Sequence, residues 1–353
     1  MGLITIAVAY NAIMCGVDVA ILAFIRKKSS VKSLFLGIVL LEVIAFMVPY
    51  IYFKQALFPV LHLFAYGVFF HGFVILAGSA VVFRKRIKHL SLFCALCAVL
   101  LEIIAVDAFV IEPKWLEITD VRMESAKISQ PMTIALVADI QTDEIGEYEE
   151  QVIEQIMKRK PDLILFAGDY IQVGDRELRE QRQSELNRVL RKANFRAPLG
   201  TYAVRGDIDP SNWFSIFEGV PVTAVPKSQT YMHRDFFVTG LTLNDSRDPN
   251  TKVKSQDGFH IVLGHSPNFA LGDIQADLLV AGHTHGGQVQ IPFIGPPVTL
   301  SLVPMDWAHG VTKLDNNRTL VVSRGIGMER GVAPRLRFFC RPQLIFIELV
   351  PQS

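Results

Sequence analysis

Residues 1–111 contain four long apolar stretches, at 3–24, 34–53, 57–83 and 90–110. At 1.5 Å of rise per residue, each is long enough as a helix to cross a hydrocarbon core of about 30 Å. This feature divides the chain into two chemical regimes before any motif is considered. Residues 1–111 read as a transmembrane helical region, and residues 112–353 read as an ordinary water-soluble domain. The first stretch lacks a basic leader and a small-residue cleavage site, and three more follow it, so a cleaved signal peptide is not expected. The composition is 50% hydrophobic with a formal net charge of +1, which gives no electrostatic reason to expect a nucleic-acid partner.

The loops between the stretches set an expected orientation. Arg26, Lys27, Lys28 and Lys32 occupy the first connection and Arg84, Lys85, Arg86 and Lys88 the third, whereas the second holds only Lys54. Basic loops are retained on the cytoplasmic side. A multi-pass protein of the inner or plasma membrane is therefore expected, with the soluble domain outside the cytoplasm. Asp18, Glu42, Glu102 and Asp107 lie in or near the spans, where ionisable groups are costly. Interhelical hydrogen bonds and interfacial placement account for them, and the same reading is made for His62 and His71. Of the four cysteines, Cys94 and Cys97 form a CxxC inside an apolar run; packing is expected there rather than redox or zinc chemistry.

From Met132 onward, short apolar runs alternate with amphipathic segments. "MTIALVADI", "PDLILFAGD", "TYAVRGDID", "FHIVLGHSP" and "ADLLVAGHTHGG" read as strands, with helical spacing at Val152, Ile153, Ile156 and Met157 between the first two. The pattern predicts a layered α/β domain. Five of the runs end in small-residue turns carrying Asp139, Asp169, Asp207, His265, and the pair His283 and His285. Ligand sites of α/β sheets lie at the carboxyl ends of strands. Three carboxylates brought together would repel one another, and divalent cations remove that conflict. The convergence predicts a metal site.

The ordered set Asp139-x-Gln141, Gly168-Asp169, Gly206-Asp207-Ile208-Asp209, Gly264-His265 and Gly282-His283-x-His285, with "GHTHGGQ" and "SRGIG", resembles the calcineurin-like metallophosphoesterase superfamily over residues 112–353. It is most similar to the membrane-associated bacterial branch, which includes phosphodiesterases similar to UDP-2,3-diacylglucosamine pyrophosphatase. The resemblance implies a four-layer α/β/β/α sandwich with two divalent metals. Asp139, Gln141, Asp169 and His285 would hold the first. Asp169, Asp207, His265 and His283 would hold the second, with Asp169 shared. Water activated by the metals would attack phosphorus in line.

The resemblance departs from the family pattern at three positions. Gln141 and Ile208 stand where the family has histidine, and Asp207 where it has asparagine. The harder, more negative donor set favours Mn²⁺ or Mg²⁺ over Zn²⁺ or Fe. Ile208 has no proton to give a leaving group, which suits a pyrophosphate bond or an attenuated site. The catalytic candidates are Asp169, Asp209 and Arg324. Asp209 is expected to orient its neighbours by hydrogen bonding, and Arg324 and Arg205 to contact a substrate phosphate or form structural ion pairs. His233, His260 and His309 are read as surface or packing residues. The expected activity is hydrolysis of a phosphodiester or pyrophosphate bond in a membrane lipid or lipid-linked phosphate. The alternatives are a UDP-2,3-diacylglucosamine pyrophosphatase-type enzyme and a non-catalytic protein that binds metal or phospholipid. The segment 209–220, "DPSNWFSIFEGV", is a candidate lid or lipid groove.

Overall fold

A computed structural model describes residues 2–54, 56–315 and 317–352. The chain forms two compact units, Met1–Val110 with Gly331–Arg335, and Ile111–Arg330 with Leu336–Ser353.

The first unit is helical. Helix α1 spans Leu3–Lys28 and α2 Val31–Tyr52. The third stretch, Leu57–Phe83, is one span built of α3 (Leu57–Ala65), a π turn (Tyr66–His71) and α4 (Gly72–Phe83). Helix α5 runs Lys88–Val106. Among the described residues, four helices are long and apolar enough to cross a membrane. Their shared interior is narrow and apolar, with Met14, Ile25, Leu41, Ile75 and Cys94 fully buried. Ile4, Phe35, Leu96 and Ile103 point outward and are more than half exposed. Helices apolar all round are suited to hydrocarbon rather than water. Gly67 lets α2 approach closely, since a Cβ there would lie 2.4 Å from Ala45 Cβ. Within this unit His62 Nδ1 lies 3.0 Å from the Ala333 carbonyl.

The second unit is a sandwich. Its strands, in chain order, are β1 (Glu117–Ser125), β2 (Met132–Val137), β3 (Leu163–Phe166), β4 (Thr201–Ala203), β5 (Thr223–Ala224), β6 (Gln229–Met232), β7 (Phe236–Gly240), β8 (Lys252–Val253), β9 (Phe259–Leu263), β10 (Asp273–Ile274), β11 (Leu278–Ala281), β12 (Gly310–Lys313), β13 (Thr319–Val322) and β14 (Gln343–Pro351). One six-stranded sheet has the order β1-β14-β2-β3-β4-β5 and the other β12-β13-β11-β9-β7-β6. Strands β8 and β10 form a separate pair.

Residues alternate between the two faces of each strand, so one strand feeds two cores. Ile134 and Leu136 of β2 join Leu163, Leu165, Ile261, Leu263, Leu278 and Val280 between the sheets. Ala135 and Val137 face the other way, with Val152, Ile153 and Ile156 of α6 (Glu147–Lys158) and Leu186, Val189 and Leu190 of α7 (Arg176–Lys192). The outer face of the second sheet buries Val262, Leu279 and Val322 with Phe269 and Ala270 of a short 3-10 helix, Pro267–Leu271. The layers are therefore α/β/β/α, with a thin fourth layer of that 3-10 helix and α8 (Leu243–Arg247).

The strand-end segments behave as the periodicity predicts, but segment 209–220 does not form a lid. Trp213, Ile216 and Phe217 are buried in the helix-side core, and Trp213 stacks on Tyr170 at 5.7 Å. The sequence interleaves large apolar side chains at 3-10 spacing, and this fills a core instead of covering a groove.

Candidate metal centre

The loops that follow β2, β3, β9 and β11, with the loop carrying Asp207 after β4, meet at one end of the sandwich. They form two groups of potential ligands. Atoms of Asp139, Asp169 and His285 lie within 4.8 Å of one another, as do atoms of Asp207, His265 and His283. His265 Nε2 lies 3.4 Å from Asp169 Oδ2 and 3.8 Å from Asp207 Oδ1, which links the groups. Asp139, Gln141, Asp169, His265 and His285 are buried, while Asp207 and His283 keep 17% and 12% of their side-chain surface and form the open side.

The backbone is bent to achieve this. Asp139, Gln141, Asp169, His283 and His285 adopt φ of 50°, 32°, 58°, 71° and 49°. Non-glycine residues rarely enter this left-handed region, and each costs of order 1–3 kcal/mol when held there. A ladder of backbone bonds holds them: Asp139 N–H donates to Gly168 O at 3.0 Å and Gln141 N–H to Asp169 O at 2.9 Å. Gly206 is required by close approach, because a Cβ would sit 2.1 Å from Asp169 Oδ1.

Asp209 accepts from the amides of Asp169 (2.9 Å), Tyr170 (2.9 Å) and Gly206 (2.8 Å). It is 2% exposed and both its oxygens hold the amides of the Asp169 turn. Arg205 donates twice to the Asp209 carbonyl, at 2.9 and 2.7 Å, within the same turn. Arg324 pairs with Glu117 of β1 at 2.8 Å. Ile208 contributes its amide, which donates to Asp169 Oδ1 at 3.0 Å.

The residues fit cations on the evidence of their own donors and acceptors. His265 Nδ1 donates to the Ala167 carbonyl at 2.7 Å, which leaves Nε2 as the lone-pair nitrogen. That atom is buried, has no hydrogen-bond partner among the described residues, and faces two carboxylates. His283 Nε2 donates to Leu300 O at 3.2 Å, and Nδ1 lies 3.0 Å from Asp207 Oδ2. An imidazole pinned through its far nitrogen, with its near one turned to carboxylates, is the usual arrangement of a metal ligand.

Gln141 is oriented by a chain of amides. Glu329 only accepts, so Gln172 Nε2 donates to it, at 3.0 Å. Gln172 Oε1 therefore accepts, from Arg330 N–H and from Gln141 Nε2 at 3.1 Å. Gln141 Oε1 is left facing His285 Nε2 in close contact. The side chain thus presents its oxygen, the only atom of the amide able to bind a cation.

The electrostatics describe a site that is unstable without positive charge. Burial and the neighbouring Asp169 charge raise Asp139 well above the carboxylate range. Burial, opposed by the Ile208 amide and reinforced by Asp207, pushes Asp169 up to about 7. Burial, then Asp169, takes Asp209 to about 7. Burial, then the His283 charge, lowers His265 to about 4. Burial disfavours charge on His283 too, yet its bond to Asp207 outweighs this and holds it at about 9. Divalent ions would reverse these carboxylate shifts, since proximity of positive charge favours the ionised form.

Residues 132–287 match the family described as calcineurin-like phosphoesterase. Over those residues the chain is similar to calcineurin-like phosphoesterases. Among its relatives, the uncharacterized metallophosphoesterase YkuE of Bacillus subtilis is 28% identical over 68% of this chain and 87% of its own. Phosphodiesterase YaeI of Escherichia coli is 27% identical over 68% of this chain and 90% of its own. The solved phosphoesterase Yfce of E. coli aligns at 16% identity over 58% of this chain and 85% of its own, with a TM-score of 0.31, too low to bear on the fold.

Two residues of the site escape sequence reasoning. Arg247, at the end of α8, pairs with Asp207 at 2.6 Å and is half-exposed at the rim. Arg337 is fully buried and donates to the carbonyls of Arg324, Gly327 and Cys340, tying down the 324–327 loop beside Asp139. Neither sits in a glycine-flanked strand end, and no local signal marks them.

Proposed function

We infer that the chain is a metal-dependent phosphoester hydrolase of the calcineurin-like class. We propose that it is a membrane-anchored phosphodiesterase acting on a lipid-linked phosphodiester or pyrophosphate, with two divalent ions, Mn²⁺ or Mg²⁺ by preference. The observation that carries this reading is the pair of ligand triads, Asp139–Asp169–His285 and Asp207–His265–His283, linked through Asp169. When bound, the ions supply Lewis-acid stabilisation of the phosphoryl oxygens and a water nucleophile at neutral pH.

The residues of the chain account for binding and selectivity. Asp207 and His283 form the solvent side, and Arg247 adds a guanidinium there that can meet a phosphate oxygen. Asp209 holds the Asp169 turn through the Asp169 and Gly206 amides, and the Ile208 amide holds the Asp169 carboxylate. The His283 imidazole is held by Leu300, and Leu300 belongs to a segment with large exposed apolar side chains: Phe293, Ile294 at 69%, Leu300 at 52% and Leu302 at 65%. A contiguous exposed apolar segment beside a phosphate site suits an amphiphilic substrate. Isoleucine at 208 provides no proton, so the bond cleaved has a leaving group stable as an anion. That favours pyrophosphate cleavage, as in a nucleotide-linked lipid, as the second reading. The basic first and third loops favour a domain outside the cytoplasm, and with it an exported lipid phosphodiester.

Manganese-dependent hydrolysis of bis-p-nitrophenyl phosphate by the full chain in detergent, beside Asp169→Ala, tests the class. Turnover in the wild type that disappears in the variant is expected. Equal turnover in both proteins would overturn the assignment of the site. Competition by diacyl phosphodiesters against UDP-linked lipids then separates the two substrates.

A further inference from the structure

The helical unit holds a second imidazole–carboxylate cluster that phosphoester chemistry does not use. Asn11, Cys15 and Asp18 stand at i, i+4 and i+7 along α1, one stripe on an otherwise apolar helix. His71 meets them from the π turn in the third span. Such turns interrupt a helix at a cost and are frequent at functional sites.

The donors can be assigned without ambiguity. Asn11 Nδ2 donates to the Ala7 carbonyl at 2.7 Å, so Asn11 Oδ1 faces His71 Nε2, 3.0 Å away. His71 Nε2 must therefore be the donor. A neutral ring then carries only a lone pair at Nδ1, and Nδ1 lies 2.7 Å from Asp18 Oδ2. A proton or a metal ion must lie between these atoms. Asp18 is 4% exposed, and its Oδ1 has no hydrogen-bond partner among the described residues. Atoms of Cys15, Asp18 and His71 lie within 4.8 Å of one another. The ring is pinned through its far nitrogen, and its near one is turned to the Asp18 carboxylate.

Charge selects the occupant. In an apolar interior a net charge is expensive. One thiolate, one carboxylate and a neutral imidazole balance a divalent ion. A sulfur, nitrogen and oxygen set is softer than the phosphoesterase centre and suits Zn²⁺ or Co²⁺ rather than Mg²⁺. We propose that Cys15, Asp18 and His71 bind one borderline-soft divalent cation at the edge of the helical unit, between the exposed Cys15 and the buried Asp18 and His71, with Asn11 orienting the imidazole. Binding releases the thiol proton and the proton shared by Asp18 and His71.

Cobalt tests this in the full chain, in detergent micelles. The ligand set of the phosphoesterase centre contains no sulfur, so a thiolate-to-cobalt charge-transfer band reports only a cysteine site. The wild type is expected to show the band, and to hold one cobalt more per chain than Cys15→Ser. Cys15 lies on the outer surface of the unit, so its serine variant tests the site without disturbing the core. Asp18→Asn and His71→Gln should lose the band, and Asn11→Ala should weaken zinc binding about 10–100-fold. Cys340→Ser and Cys97→Ser should keep it, and Cys15→Ser should retain full manganese-dependent phosphodiesterase turnover. Absence of the band in the wild type, or its survival in Cys15→Ser, would overturn the proposal and leave Asp18–His71 as a proton-sharing pair.

Discussion

The sandwich and the helical unit each bring imidazole and carboxylate together, by opposite means. In the sandwich, ligands arrive from five separate loops, and Asp139, Gln141, Asp169, His283 and His285 are forced into left-handed backbone to converge. In the helical unit, Asn11, Cys15 and Asp18 come from one regular helix and a single π turn delivers His71. A strand-end site needs a scaffold of backbone bonds to hold each segment, while a helical stripe is nearly preformed. The first brings together two groups of candidate ligands and remains open at Asp207 and His283, and the second brings together one group.

Substitutions can break this comparison. The largest contrast is expected between two aspartates. Asp169→Ala should take phosphodiester turnover to background, whereas Asp18→Asn should leave it near the wild-type rate; parallel assays of both variants check this. Ile208→His comes next. Supplying an acid should raise turnover of an alkyl phosphodiester by as much as ~10²–10⁴-fold, with little gain on a p-nitrophenyl ester whose leaving group needs no proton.

The amide chain gives a subtler effect. Glu329→Ala removes the acceptor that anchors Gln172, and should weaken manganese binding about 10–100-fold. Calorimetric titration measures it. The smallest effect concerns His260, buried between Thr239 Oγ1 at 2.7 Å and the Gln275 carbonyl at 3.1 Å. Burial holds this ring below its ordinary value. The unfolded chain therefore binds more protons just below pH ~6.5. The stability this residue contributes is complete above that pH and is lost as pH falls toward the lower folded value. Urea midpoints across that window should slope less in His260→Gln.

The strand-end ligands were legible because glycine and a small-residue turn punctuate each apolar run. The sheet core was legible because Ile134, Leu136, Ile261 and Val280 belong to unbroken apolar segments. Arg247 and Arg337 were not legible, since their partners are distant in sequence and only the fold pairs them. Segment 209–220 misled for a related reason: Trp213 and Phe217 have the composition of a lipid groove, but Tyr170 and Phe166 claim them for the core. Asp18 and His71 were visible as costly letters in apolar runs, yet their contact depends on a π turn that periodicity does not reveal.

Strand β14 lies between β1 and β2, parallel to the first and antiparallel to the second. The sheet that carries Asp139 and Asp169 thus has a gap until residues 343–351 leave the ribosome. All four apolar spans, and every metal ligand, are synthesised before that strand exists. Assembly during biosynthesis therefore has a fixed order. The helices can enter the lipid phase first, while the catalytic half waits, with one sheet unclosed, for the insertion of a late central strand. A stop codon before residue 343 would leave the whole ligand set in place and still yield no enzyme.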